Sequence, residues 1–504
     1  MTALGWSAPP EVARARGRQL VTLAAGGMLA LAIALSVAEL DRLALIGWFS
    51  LPLACLVFLH VEFGLACLLV YSTGLAWLIR MLPLGNTGPI GLVLDGLLLL
   101  MGVRLLADLL QRRDARIFRS PLTWWVGLFA LYQGLEVLNP ASPGLLFGLY
   151  GLRVTLRMLG FCLVIYYFRR RRRILRLLDG WLALLVGVAC YGIFQHHHGL
   201  LWQEMAWLLS EGNAQTHILS GYVRVFSTVG DAATFGFLMA AGSLQALAMS
   251  LSASPARRLG LLLAIAPMLY GLTLSYSRGP VVALMAGTAA LVLAARSWRL
   301  GLSVMVIASL GLGGLALSGS ERLLDRLATA TRPAEDASFN VRLDYIQQYL
   351  PEIARRPFGY GINTSGGNAR KAAGEESVRD SVVGVPTDNY YFKVALELGW
   401  CGLLLWVGLN LTLLWHAYQV QRRLGDPALQ GVALGLFSVL AAWLVGAFSN
   451  DIFAQKPIAE FFWMAVGLVV LLGQYRERSV APVRRLWRRQ PSAQAGPAAR
   501  GRTA

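Results

Sequence analysis

The sequence has few charged residues, and lysine is almost absent from it. Charged side chains make up 14% of the 504 residues and hydrophobic ones 56%, which is far more apolar than a soluble chain that must solvate its surface. This balance predicts a polytopic membrane protein. The net charge of +18 would also fit nucleic-acid binding, but only Lys371, Lys393 and Lys456 are lysines and the arginines cluster at the ends of apolar segments. Such clusters are typical of cytoplasmic loops, so no nucleic acid is expected as a partner.

Cysteine is scarce, and no two cysteines are spaced as a pair. The five cysteines lie in or beside apolar segments, so neither a disulfide framework nor a zinc site is expected. The adjacent histidines 196–198 cannot all face one ion, and no carboxylate or cysteine pattern supports them,. We therefore predict no metal and no cofactor. The first apolar segment follows a basic tail and lacks a small-residue cleavage site, so it is predicted to be a retained helix.

Long apolar runs dominate the rest of the chain. A spanning helix needs about 20 mostly apolar residues, and fourteen stretches qualify. A count of twelve stays open, because only His60 and Val61 separate the second stretch from the third and Pro52 interrupts the second. The sequence therefore predicts an all-α, polytopic integral membrane protein with about 14, alternatively 12, transmembrane helices. The predicted spans are 19–37, 43–59, 62–80, 89–110, 121–138, 147–168, 180–195, 233–251, 258–275, 280–296, 300–318, 398–418, 429–448 and 457–474.

The arginine clusters predict the sidedness of these helices. When the N-terminus is placed in the cytoplasm, alternate connections fall on arginine clusters, among them 112–119, 169–173 and the tail after Tyr475,. Both termini are therefore predicted to be cytoplasmic, and the other polar connections extracytoplasmic. The predicted organisation is a transmembrane bundle at 1–318, a large periplasmic loop or lid at 319–397, three further helices at 398–474 and a basic, disordered cytoplasmic tail at 475–504.

The loop at 319–397 is a long polar interval in an apolar chain. A structureless loop rarely exceeds about 12–15 residues unless it is functional. Apolar residues recur from Phe339 to Ile353 at spacings of 4, 3, 4 and 3, which predicts an amphipathic helix that lies on the membrane or on the bundle. Pro351 is expected to kink or restart this helix.

Three arginines lie at the predicted outer ends of helices. Arg224 precedes one span, Arg278 lies between two, and Arg153 lies roughly two turns inside another,. A charge at this depth is costly unless it reaches the interface or has a partner. Arg224 and Arg278 therefore also fit interfacial snorkelling, and Arg153 fits a structural pair with Asp95. If they converge, they suit a lipid-linked phosphate in the outer leaflet, because arginine binds phosphate through two parallel hydrogen bonds.

Asp388 is the best acid–base candidate in the sequence. It lies in a polar run directly before a predicted span. The alternative role for such a residue is a helix N-cap or a turn aspartate. Asp231 and Asp451 are also predicted to be extracytoplasmic and are the next candidates, whereas Glu397 at the start of the span is interpreted as structural.

Taken together, these residues and their neighbours resemble the O-antigen ligase and O-antigen polymerase superfamily of bacterial membrane glycosyltransferases. The resemblance extends from Arg224 to Gly402 and rests on the order of several motifs. They are Arg224 with Phe226-Ser227-Thr228, then Ser275-Tyr276-Ser277-Arg278-Gly279, then Arg342 with the amphipathic helix and Pro357-Phe358-Gly359-Tyr360-Gly361, and finally Asp388-Asn389-Tyr390-Tyr391 followed by Glu397-Leu398-Gly399-Trp400-Cys401-Gly402.

The resemblance implies a metal-independent glycosyl transfer at the periplasmic face of the bacterial inner membrane. The donor would be an undecaprenyl diphosphate-linked glycan held in membrane lipid, and a chain-length regulator and a flippase of the same pathway would be further partners. The catalytic residues would be Asp388, Arg224 and Arg278. Substrate-binding roles would fall to Arg342, Asn389, Tyr390, Tyr276 and Arg153.

One departure from the family pattern favours a polymerase. Ligases of this superfamily carry a catalytic histidine where this chain has Asp388. A carboxylate can still accept a proton from a sugar hydroxyl, so we predict a polymerase that joins lipid-linked repeat units, with a ligase acting on lipid A-core or protein as the alternative. A polysaccharide transporter or flippase is a second alternative, although the chain shows no internal repeat,.

Overall fold

The computed structural model describes residues 52–82, 88–112, 115–210, 213–219, 221–297, 337–366, 369 and 384–475. These residues form α-helices, three short 3-10 helices and one minimal hairpin in which β1 (Ile218–Leu219) pairs antiparallel with β2 (Tyr222–Val223). The fold is that of an all-α, polytopic membrane protein, as predicted. The helices are α1 Val61–Met81, α2 Gly88–Arg112, α3 Pro121–Leu135, α4 Leu145–Leu156, α5 Leu159–Tyr167, α6 Arg171–His198, α7 Trp202–Leu209, α8 Asn213–His217, α9 Ala232–Ser250, α10 Pro255–Leu274, α11 Arg278–Ala295, α12 Ala337–Arg355, α13 Tyr390–Arg423, α14 Pro427–Gly446 and α15 Ile458–Gly473.

The number of spans is settled only in part. Among the residues that the structure describes, nine helical segments are long and apolar enough to cross a membrane, and α15 is a shorter apolar helix. The predicted spans 19–37 and 300–318 lie outside the described residues, as does most of 43–59, of which 52–59 is helical. The count of 14 or 12 therefore stays a prediction.

The core of the bundle is built around α9. This helix packs against α6, α10, α11 and α14, and its side chains, such as Phe235 and Phe237, are almost completely buried. Small residues permit the close approach of its neighbours, since a Cβ added at Gly236 would lie 2.9 Å from the Ser275 hydroxyl. Close packing at small residues is the usual way in which helices associate in lipid.

Connections alternate between the two ends of the bundle. At one end, which carries the β1–β2 hairpin and is called the hairpin end below, the Trp77 amide of α1 donates to the Thr228 carbonyl before α9 over 3.1 Å. At the opposite end, called the arginine end, Arg171 of α6 pairs with Asp426 before α14 over 2.5 Å. The arginine-rich connections of the described residues, such as 169–173 and 422–426, lie at the arginine end. This is the arrangement that the positive-inside pattern predicts.

α13 begins eight residues before the predicted start of its span at Leu398. Asn389 caps it, because its side-chain oxygen accepts from the amides of Tyr391 at 2.9 Å and Phe392 at 3.1 Å. Gly399 has a non-helical backbone with φ 67° and interrupts the helix. The carbonyl groups that the interruption exposes are satisfied from the turn at 357–361, since Tyr360 N donates to Leu396 O and Gly361 N to Glu397 O. The polar loop is therefore fastened to the kink in α13.

The predicted amphipathic helix is present as α12, but its packed face differs from the predicted stripe. Ile353 and Ile346 pack with Tyr345 and Tyr349 against the start of α13. Leu343 and Leu350 of the predicted stripe are instead 40% and 57% exposed. The helix also continues through Pro351 to Arg355, where a kink or restart was predicted. Pro351 has no N–H to donate to the Gln347 carbonyl. Gln347 lies on an exposed face of the helix, where water can bind that carbonyl instead,.

Candidate functional site

Four short segments meet at the hairpin end of the bundle: 223–231, 275–280, 386–391 and 446–453. The Arg224 guanidinium donates from Nε to the Ser275 carbonyl over 3.3 Å and from a second nitrogen to the Ser277 hydroxyl. The amide of Tyr390 donates to the Ala447 carbonyl over 2.9 Å. Gly279 packs so closely on Ser449 that an added Cβ would collide with the Ser449 hydroxyl. These contacts bring the predicted catalytic segments into one neighbourhood.

Arg224 directly follows the β1–β2 hairpin. The hairpin pairs Ile218 with Val223, and the Arg224 amide continues this pairing by donating to the His217 carbonyl over 2.8 Å. The side chain is half-buried and lies across the turn that ends at Ser277. The next residue in the chain, Arg278, begins α11. The two arginines therefore belong to contacting segments, although 53 positions separate Arg224 from Ser277.

Arg278 stands where a cation does not stabilise the helix. It is the first residue of α11 and is half-buried, and a positive charge at a helix N-terminus opposes the helix dipole. Ser277 at the N-cap makes no side-chain capping bond. Tyr276, which was predicted to bind substrate, forms the preceding turn with φ 47°. A guanidinium next to uncapped amide groups is a suitable arrangement for an anion.

Asp388 is exposed and directly precedes Asn389, the N-cap residue of α13. The N-cap is Asn389, so Asp388 does not cap α13; it lies in a bend, which fits the other alternative, a turn aspartate. Asn389, predicted to bind substrate, is engaged by the backbone of the first turn. Tyr390, also predicted to bind substrate, is buried between the rings of Trp406 and Phe453, each 5.2 Å away.

Two further aspartates share the electrostatic environment of Asp388. Burial raises the pKa of Asp451, and the charges of Asp231 and Asp388 raise it further, while Lys393 and a hydrogen bond from Gln455 lower it. Asp231 caps α9 by accepting from the amide and the hydroxyl of Thr234 at 2.8 and 2.6 Å. Asp451 is therefore close enough to the other two base candidates, Asp231 and Asp388, for their charges to affect it,.

The remaining predicted residues lie elsewhere or are not described. Arg153 pairs with Asp95 through Nε at 2.7 Å and a second nitrogen at 2.5 Å, which is the structural pair that was its alternative interpretation. Arg342 lies in α12, and its side chain is outside the described part of the structure. Glu397 has the structural role expected of it, because it accepts from Ser365 Oγ at 2.6 Å and from Lys393 Nζ at 2.8 Å.

Sequence reasoning missed His217. Its side chain is buried between the rings of Trp207 and Phe226, at 5.1 and 5.0 Å. Burial lowers the pKa of His217 to about 4; the charge of Asp231 opposes this effect, and those of Arg224 and Arg80 add to it. His217 is therefore a neutral imidazole beside two guanidinium groups. Its position in a polar interval seven residues before Arg224 was the available signal.

Several buried polar atoms in or beside the four segments of the site have no hydrogen-bond partner within the described chain. They are the hydroxyl oxygens of Thr228 and Thr387, the amide oxygen of Asn450 and Nδ1 of His217. Buried polar groups are nearly always paired, with protein or with other molecules. Ordered water or a bound polar ligand would satisfy these atoms, as it would the unsatisfied atoms found elsewhere in the described residues, for example at Gln245 and Trp443,.

Metal-ligating side chains are present in the described residues but are not clustered. No cluster of three or more His, Cys, Asp or Glu side chains there has an arrangement that could hold a metal ion. The prediction of a metal-independent reaction stays a prediction.

The fold and the site define a multi-pass membrane protein with arginines and aspartates gathered at one end of its bundle. A family model described as O-antigen ligase matches residues 263–407, a range that includes Arg278 and Asp388 and begins after Arg224. An O-antigen polymerase of Salmonella muenchen is 23% identical over 257 residues, which are 50% of this chain and 62% of that protein. The chain thus spans less than two thirds of its relative's length. Both matches support the resemblance predicted from the motifs, to the O-antigen ligase and O-antigen polymerase superfamily.

Proposed function

We propose that this protein is a polymerase that joins undecaprenyl diphosphate-linked oligosaccharide units into a surface polysaccharide. The observation that carries the proposal is the contact of Arg224 with the Ser275–Ser277 turn, because this turn leads directly into Arg278. Two guanidinium groups in contacting segments can bind a diphosphate through several charge-assisted hydrogen bonds. The similarity to an O-antigen polymerase supports the choice of reaction.

The arginines stabilise the leaving group in this mechanism. The oxygen of an acceptor hydroxyl forms a bond to the anomeric carbon of the donor glycan as the bond from that carbon to the diphosphate breaks. The diphosphate leaves with the electron pair, and Arg224 and Arg278 neutralise the charge that develops on it. Fixed donors in a poorly hydrated site contribute about 3–4 kcal/mol each to lowering such a barrier.

Asp388 accepts the proton of the acceptor hydroxyl. It is exposed, as a group that meets substrate must be, and it does not cap α13. Asp231 is committed to the start of α9 and Asp451 accepts from Gln455 Nε2 at 2.8 Å.

The proposed site faces the periplasm, and the protein is a multi-pass protein of the inner membrane. The support is the arrangement of charge: the arginine-rich connections of the described residues lie at the end of the bundle opposite Asp388 and Arg278. Arginine-rich loops are retained in the cytoplasm. The lipid carrier would then present its diphosphate at the outer leaflet.

A ligase is the second candidate, because the matching family model is described as O-antigen ligase. Both candidates use the same donor chemistry and the same pair of arginines, Arg224 and Arg278, which is called the diphosphate clamp below. They differ in the acceptor, which is a second lipid-linked glycan for a polymerase and lipid A-core or protein for a ligase. A flippase has no such supporting observation.

The test is the glycan profile of a deletion strain complemented with Asp388→Asn. We expect single repeat units to accumulate on the lipid carrier at the outer leaflet, while the wild-type gene restores long polymer. Asp179→Asn is the matched control, since Asp179 pairs with Arg257 at the arginine end, and it should restore full polymer.

Other products would change the conclusion. Polymer that is normal in length but never attached to lipid A-core or protein would indicate the ligase. Repeat units stranded at the inner leaflet would indicate a flippase. Full-length polymer from Asp388→Asn would exclude Asp388 as the base and move the role to Asp451 or Asp231.

A further inference from the structure

Arg80 is a buried arginine at the end of a membrane-spanning helix. It is the penultimate residue of α1, and its side chain is only 1% exposed. An ionised group inside an apolar bundle is costly unless its partners compensate. What Arg80 contacts therefore indicates what it does.

Its hydrogen bonds go to the segment that carries Arg224. One terminal nitrogen donates to the Val229 carbonyl over 2.9 Å and the other to the Ser227 carbonyl over 2.5 Å. The guanidinium carbon also lies over the ring of Phe226, 4.6 Å from its centre. Arg80 thus holds the backbone on both sides of Thr228, beginning three residues after Arg224.

The held segment has an unfavourable backbone conformation. Ser227 has φ 53°, in the left-handed region that residues with a Cβ seldom adopt,. Two groups of α6 hold it as well, since its amide donates to Gln195 Oε1 over 2.8 Å and its hydroxyl to the Val188 carbonyl over 2.7 Å. Such conformations persist only where the surroundings overdetermine them, and they cluster at functional sites.

Glu204 completes the arrangement from α7. Its side chain is fully buried and forms an ion pair with Arg80 Nε at 3.8 Å. It also accepts from Gln195 Nε2 at 2.7 Å and from the Tyr191 hydroxyl at 3.2 Å. The carboxylate therefore balances the buried charge and links Arg80 to the same glutamine that holds Ser227.

We propose that Arg80 is a positioning residue for the diphosphate clamp, acting through the backbone of 226–229 to fix Arg224 against the Ser275–Ser277 turn. The inference rests on the proposed function, because it assigns Arg80 to that same site. In this role Arg80, whose side chain is buried, acts without touching the lipid-linked diphosphate. Its substitution should reduce the rate of transfer and the binding of diphosphate together.

The test compares purified Arg80→Gln with Arg224→Lys, which changes the clamp itself, and with Arg104→Gln, which removes a cation from another intramembrane ion pair, Arg104–Asp108. Two quantities are measured: the rate of polymer formation per folded molecule at saturating lipid-linked repeat unit, and inhibition by inorganic diphosphate. Because displacing catalytic groups by about 1 Å can cost about 100-fold in rate, we expect a loss of about that size for Arg80→Gln, with weaker inhibition by diphosphate. Arg104→Gln should match the wild type in both.

Two further variants keep the proposal falsifiable if Arg80→Gln does not fold. Arg80→Lys keeps the charge and should recover part of the rate, and Glu204→Gln keeps the size of the partner and should lose about 10-fold, because a less firmly held Arg80 positions the segment less well. A role in stability alone would lower the yield of folded protein and leave the rate per molecule unchanged.

The outcomes separate this inference from the proposed function. If Arg224→Lys is inactive while Arg80→Gln and Glu204→Gln transfer at the wild-type rate per folded molecule, Arg80 is not a positioning residue and the clamp stands. If Arg224→Lys is itself fully active, Arg224 does not bind the diphosphate as proposed, and the positioning role of Arg80 is excluded with it.

Discussion

Gly359 and Gly399 meet backbone to backbone where the polar loop is fastened to α13. A Cβ added at Gly359 would lie 2.5 Å from the Gly399 amide nitrogen, and one added at Gly399 would collide with the Pro357 carbonyl. Both residues have positive φ, 68° and 67°. Each is therefore required by its conformation and by space, and the contact holds the turn at 357–361 against the kink in α13.

Gly399→Ala should destabilise the protein strongly. The positive φ and the overlap with Pro357 together are expected to cost about 3 kcal/mol or more of unfolding free energy. Gly134→Ala in α3 is the matched control, since no atom lies within 4 Å of its added Cβ, and it should be neutral or slightly stabilising. Thermal unfolding in detergent measures the difference. Equal melting temperatures for the two variants would show that the contact is not required.

The sequence predicted most helices because the length and apolarity of each run are local properties. α11, predicted at 280–296, is found at 278–295. The start of α13 was misplaced because Lys393 and Glu397 lower the apolarity there. The two side chains pair with each other one helical turn apart, and their contacts with Ser365, which the sequence does not show, are tertiary. Arg80 was missed for the same reason: the sequence shows a charge at the end of a span but not the carbonyl groups of Ser227 and Val229 that it holds.

The candidate site, like the fold, could be predicted only in part from the sequence. The motifs around Arg224, Arg278 and Asp388 could be read from residue type and order, because phosphate binding and proton transfer restrict the side chains that can do them. The pairing of Arg153 with Asp95 could be offered only as an alternative. That Asn389 and not Asp388 caps α13 required backbone geometry, since both residue types favour that position,.

Arg278→Lys should abolish polymer formation while the protein still inserts into the membrane. Lysine keeps the charge but loses the planar fork that binds a diphosphate, so the rate should fall by about 100- to 1000-fold. The measurement is polymer length and amount in a complemented deletion strain, with membrane-fraction immunoblots for insertion. Arg296→Lys at the other end of α11 is the control and should restore normal polymer. Wild-type polymer from Arg278→Lys would count against the clamp.

His217 should make the folded protein less stable in mild acid. Its ordinary pKa of 6.5 is lowered to about 4 in the fold, mainly by burial. Between these values the unfolded chain takes up a proton that the folded chain excludes, so stability falls as pH drops from 6.5 towards 4,. His217→Gln should show a shallower fall in melting temperature over this range. Asp451 has a raised pKa, so its contribution to stability changes with pH in the opposite direction. Because Asp451 is present in both proteins, this contribution cancels when their melting curves are compared. Parallel curves for the two proteins would contradict the assignment.

Cysteine labelling should locate the hairpin end on the outside of the cell membrane. Ser210, exposed between α7 and the hairpin, lies at the hairpin end, and Ser254, exposed before α10, lies at the arginine end. In a background with the five native cysteines replaced, Ser210→Cys should react with an impermeant maleimide in intact spheroplasts, and Ser254→Cys only after lysis. We expect this pattern because the arginine-rich connections at the arginine end resist translocation across the membrane. The reverse pattern would place Asp388 and Arg278 in the cytoplasm, where the diphosphate of an outer-leaflet lipid carrier is out of reach.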